Sequence, residues 1–140
     1  MLSGMLAAMI VLHWAHVFCG IFWFGTILYT RIMLFPSLRT LGPEQEAKVR
    51  AAMVAGPSRR ITLMLAWGTV SLGMVRGAAA GAFDQLTSAY GITYLASLLL
   101  GLAMAGFVTL DWPKGQLPRH LYVAGFPAIF TLMVLMRFGL

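Results

Sequence analysis

The sequence predicts an all-α integral membrane protein, a four-helix bundle with a short interfacial helix between its first and second spans. Three observations carry this. The 140 residues are 60% apolar and only 10% charged, with a mean hydropathy of +0.85, a balance that soluble domains of this size do not have. Four apolar segments reach membrane length, at about residues 5–35, 61–80, 90–110 and 121–138. Only one polar stretch, residues 36–60, is long enough to hold an element outside them. The chain reads as one membrane domain, 1–140, whose first partner is the lipid bilayer.

The first span has no basic stretch before it and is too long for the apolar core of a signal peptide. It is expected to be a retained helix, long enough to cross with tilt or to project. At helical spacing Met5, Met9, His13, His16, Gly20, Trp23 and Ile27 fall on one seam, with Cys19 at its edge. The opposite face is Leu, Ile, Val and Phe, so the seam is expected to turn toward partner helices.

Residues 43–55 are expected to form the short helix. Pro43 sits where a first-turn proline belongs, and Glu44 and Glu46 lie at the positive end of the dipole. Glu44/Lys48 and Glu46/Arg50 are spaced i, i+4 in the favourable order, and Gly56-Pro57 ends the run. In the second and third spans Gly73, Gly77, Gly101 and Ala105 permit close helix contact. Pro118 and Arg119 open the fourth span, which contains Pro127. That proline removes a donor and crowds the Val123 carbonyl, so a kink is expected, with the freed carbonyl facing protein rather than lipid. Trp67, Tyr90, Trp112 and Tyr122 lie near the expected span ends, as an aromatic belt would.

Net charge is +6 with histidine neutral. The cations sit in loops and at span ends, which speaks for head groups and not for nucleic acid. The first connection carries Arg39, Lys48, Arg50, Arg59 and Arg60, with Arg31 at its edge, and the third carries Lys114 and Arg119. The opposite side has only Arg76 and Arg137, with Asp84. Both termini are therefore expected on the non-cytoplasmic side of a bacterial-type inner membrane. The single cysteine excludes an internal disulfide. Paired carboxylates, a nucleophile–base set, a phosphate loop and zinc spacing are all missing, so hydrolysis is not expected.

What remains is the pair His13 and His16, two of three histidines in the chain, on one face of a membrane-length segment. Ionisable groups in hydrocarbon are costly and mark sites. A histidine held as a ligand is expected to bond its other ring nitrogen to a neighbour.

The pattern His16-x6-Trp23-Phe24-Gly25-x3-Tyr29-x-Arg31 resembles the first helix of the HemJ-type protoporphyrinogen oxidases and the related CopD-like membrane proteins. Size, span count, the basic first connection and a fourth span reading Phe126-Pro127 and ending Arg137-Phe138 are similar as well. The resemblance implies a four-helix bundle binding haem b, with His16 as an axial ligand and Trp23 beside it. HemJ-type proteins also carry a lysine early in the third span that is tied to their activity. Residues 90–110 contain none here, so the resemblance points to haem binding more than to porphyrinogen oxidation.

His13 and His16 project from the same face and cannot ligate one iron from opposite sides. His120 opens the fourth span at the other depth. Met74 and Met133 each climb about 20 Å from the cytoplasmic end, to the level of His13, and are candidates for the second ligand. Arg76 and Arg137 lie just beyond and can meet propionates. The same inventory suits copper, because Met9, His13, His16 and Cys19, with Met5, offer the soft ligands Cu(I) favours. A third reading is a cofactor-free accessory subunit of a larger membrane complex, and the partners expected beside lipid are further copies of the chain or such a complex.

Overall fold

The structure, a computed structural model, describes residues 2–110 and 116–139. Among the described residues the architecture is all-α, without strands. Helix α1 (Leu2–Leu28) runs through a π-helical segment, Tyr29–Leu34, into the short α2 (Phe35–Arg39). The wider π turn stands just before Pro36, which lacks the N–H that the Ile32 carbonyl would need. Next come α3 (Pro43–Ala55), α4 (Pro57–Ala79), a 3-10 turn (Ala82–Gln85), α5 (Ala89–Thr109) and α6 (Gln116–Arg137). Four helices are long and apolar enough to cross a membrane: Gly4–Arg39, Pro57–Ala79, Ala89–Thr109 and His120–Arg137.

The helix ends follow local chemistry. Gly42, at φ 105°, turns the chain into α3, and Pro43 opens it. The expected ion pairs form along it: Lys48 to Glu44 at 2.7 Å and Arg50 to Glu46 at 2.6 Å. Glu46 also meets Arg39 of α2 at 3.4 Å, and the Arg50 guanidinium lies 4.0 Å over the Phe35 ring. These contacts fold α3 back beside α2. At α5 the Ser88 hydroxyl caps by accepting from the Gly91 N–H at 3.1 Å.

Consecutive spans pack as neighbours, α1 on α4, α4 on α5 and α5 on α6. The core is Trp23, Ala66, Val70, Met104, Ala105 and Phe126, nearer the α3 end of the bundle. There α6 closes on α1. Phe126 meets Trp23 edge-on at 5.2 Å and Phe24 at 5.1 Å, and the Trp23 indole N–H donates to the Tyr122 hydroxyl at 2.9 Å. Small residues give close approach elsewhere: Gly77 leaves no room between α4 and the Tyr94 ring. The outer face of α1 presents a stack of exposed rings, Trp14, Phe18 and Phe22.

Pro127 is exposed on an α6 that continues through it, and Val123, whose carbonyl it frees, is half-buried. The Thr131 hydroxyl donates to the Pro127 carbonyl at 2.9 Å. Tyr122 is not a head-group anchor but a partner of Trp23 in the core region. Trp67 is exposed, with its N–H donated to the Thr109 hydroxyl at 2.9 Å. Trp112, Asp111 and Lys114 of the third connection lie outside the described residues, as do the side chains of Pro118 and Arg119.

Candidate functional site

Below the level of His13 the α1 seam turns toward α4 as its spacing predicts. His16 lies against Gly73, Cys19 against Gly68 and Gly20 against Thr69. Trp23 completes the seam in the core and is 2% exposed. Above that level the expectation fails. Beyond Gly73, α4 has six more residues, about 9 Å of rise, so it passes the level of His13 and ends short of Met5. Met5 is 65% exposed, His13 is exposed and Met9 is half-buried.

His16 is therefore the histidine with a built environment. One ring nitrogen, Nδ1, lies 2.8 Å from the Thr69 carbonyl oxygen. A carbonyl can only accept, so Nδ1 carries the proton and donates it. Nε2 then holds the unshared pair, because a neutral imidazole has one donor and one acceptor nitrogen. The ring lies on the bare Cα of Gly73: a Cβ there would come within 2.8 Å of Cε1 and 3.2 Å of Nδ1. Among the described residues no hydrogen bond to His13 is formed.

Arg76, one turn above Gly73, lies within electrostatic range of both His13 and His16. Its Nε is buried and without a hydrogen-bond partner. A buried guanidinium N–H with nothing to donate to is costly. It is a buried polar atom near the histidines that calls for an acceptor.

The other candidates separate from this cluster. Met74 was expected at the right depth, but it follows Gly73 directly, and one residue turns the helix by about 100°. It is 44% exposed. Met133 stands two turns beyond Phe126 on the same face of α6 and is still 37% exposed. Neither is brought to His16 by a described contact. Arg137 and His120 are exposed. Cys19 packs on Gly68, a turn of α4 away from the His16 contact. No three His, Cys, Asp or Glu side chains converge among the described residues.

Trp23 faces α6. Its ring is buried against Phe126 and its N–H is committed to Tyr122, which makes it a brace between α1 and α6. Sequence spacing alone does not reveal Thr69 or Gly73 as partners of His16. Gly73 was visible only as a small residue suited to close contact. Comparison with protein-family models, with curated proteins and with solved structures finds no match for this chain.

Proposed function

We propose that this chain is a haem b-binding membrane redox protein of the kind its HemJ-type and CopD-like resemblance implies, serving electron transfer or a porphyrinogen-type oxidation. The observation that carries the reading is the His16 Nδ1–H bond to the Thr69 carbonyl, at 2.8 Å. It provides the partner expected of a ligating histidine and leaves Nε2 as donor to a metal. The unpartnered Nε of Arg76 is a second point of fit, because a propionate carboxylate is the acceptor it lacks. His16 would hold the iron and Arg76 a propionate; the haem, when bound, supplies one-electron chemistry. Thr69 keeps the proton on Nδ1, and the apolar flank of α1 limits water. We place the bundle in a bacterial-type inner membrane with both termini non-cytoplasmic, as a homo-oligomer or in a larger complex.

The test is the absorption spectrum of protein purified with its haem. A Soret band is expected in the wild type, lost in His16→Ala and retained in His13→Ala. Loss in His13→Ala alone would move the site one turn outward. Absence of any band, with Cu(I) binding that disappears in Met9→Leu and Cys19→Ser, would replace haem by copper.

A further inference from the structure

We propose that Thr69 and Gly73 of α4 are positioning residues that lock His16 as its Nδ1–H tautomer, leaving Nε2 as the atom that binds. The proposal deepens the haem reading and rests on it for its purpose, but the lock itself is a property of α1 and α4.

The Thr69 carbonyl, 2.8 Å from Nδ1, fixes one end of the imidazole. It belongs to helical backbone, so no rotamer change can withdraw it. The space at Cε1 is set by Gly73. With Cε1 only 2.8 Å from where a Cβ would stand, any side chain at 73 must push the ring away. The obstacle would be a backbone-attached atom, so the ring must yield, and with Nδ1 itself 3.2 Å from the new Cβ the shift falls on the hydrogen-bonded end of the imidazole. Gly68 is the matched case at the same helix interface. A Cβ there would come within 3.3 Å of the Cys19 Sγ, crowding α1 against α4 without touching His16.

The experiment uses the full chain, labelled with 15N-histidine and reconstituted in lipid without added haem. In the wild type the His16 signal, assigned by its loss in His16→Gln, is expected to show a protonated Nδ1 and an unprotonated Nε2. Gly68→Ala should keep that pattern and Gly73→Ala should lose it. A double-mutant cycle guards against misfolding of Gly73→Ala, since in a His16→Ala background the added methyl meets no ring and its destabilisation should vanish. With haem, Gly73→Ala is expected to bind about 10–100-fold more weakly, and Gly68→Ala like the wild type.

A wild-type His16 protonated on Nε2 would overturn the lock. So would a tautomer unchanged in Gly73→Ala, or an equal cost of Gly73→Ala with and without the His16 ring. The expected tautomers with no Soret band in any variant would uphold the lock and remove the haem reading.

Discussion

Trp23 separates two roles that one spacing pattern allows. Seven residues from His16 on the same face, it reads as a neighbour of a cofactor. Its burial at 2% exposure and its bond to Tyr122 give it a mechanical task at the level where Phe126 and Tyr122 of α6 reach α1. Trp23→Phe keeps a six-membered aromatic ring but loses the N–H donor together with the five-membered ring, and is expected to cost at least the ~1 kcal/mol of a single polar contact between membrane helices. Trp23→Ala also empties the space against Phe126 and is expected to cost about 3–5 kcal/mol. Reversible unfolding in mixed detergent measures both, and Trp23→Phe should leave the Soret position of bound haem unchanged. A spectral shift in that variant would return Trp23 to the cofactor. At this scale the sequence was half legible. Periodicity placed His16, Gly20 and Trp23 on one inward seam. It assigned Met74 by depth alone, because rise along a helix says nothing of the face until a neighbour such as Gly73 is located.

Among the elements, α3 was the most legible. Its bounds, its opening proline and both i, i+4 pairs are local in sequence and appear as expected. Its attachment is not local. Arg39 and Phe35 reach Glu46 and Arg50 only because the chain reverses at Gly42, which no spacing rule reveals, and the π turn before Pro36 was equally hidden. Glu46 is the hinge of this attachment. The hydrogen bond from Arg50 holds its carboxyl below the ordinary 4.5, and the Arg39 charge and hydrogen bond act in the same direction. A carboxyl with a lowered folded-state pKa contributes stability above its unfolded value, and that stability is lost as pH falls through the folded one. The attachment of α3 should therefore be constant from neutral pH down to about pH 4.5 and loosen progressively below it. Amide protection over residues 43–55, taken relative to the intrinsic exchange rate at each pH, measures this, with protection expected to fall on acidification. In Glu46→Gln protection should be low already at pH 7 and nearly constant with pH. Parallel pH profiles in the two proteins would show that Glu46 does not hold the helix.

The whole molecule follows from four apolar segments in an even-numbered order, and that much was plain from hydropathy. Hydropathy missed the polar ends of three spans, placing the end of the first at 35 where the helix continues to Arg39. It began the second span at 61 where α4 starts at Pro57, and the fourth at 121 where α6 starts at Gln116. What hydropathy did not convey is that α1 outruns its neighbours, since an apolar turn beside protein and one beside lipid read alike. The fold makes α3 and the turn between α4 and α5 opposite ends of the bundle, whatever its orientation. The proposed orientation comes from charge. Arg31, Arg39, Lys48, Arg50, Arg59 and Arg60 gather at the α3 end, against Arg76 and Arg137 at the other, and by the positive-inside rule the α3 end is expected on the cytoplasmic side. With Cys19 replaced by Ser, single cysteines at Gln45 and Thr87, both exposed, read the two statements separately. A membrane-impermeant maleimide applied to intact spheroplasts is expected to label Thr87→Cys at once and Gln45→Cys only after permeabilisation. Labelling of both from the same side would break the four-span topology. Labelling of Gln45→Cys alone would keep the topology and reverse the molecule, putting Arg76 and His16 nearer the cytoplasmic leaflet and overturning the orientation derived from charge.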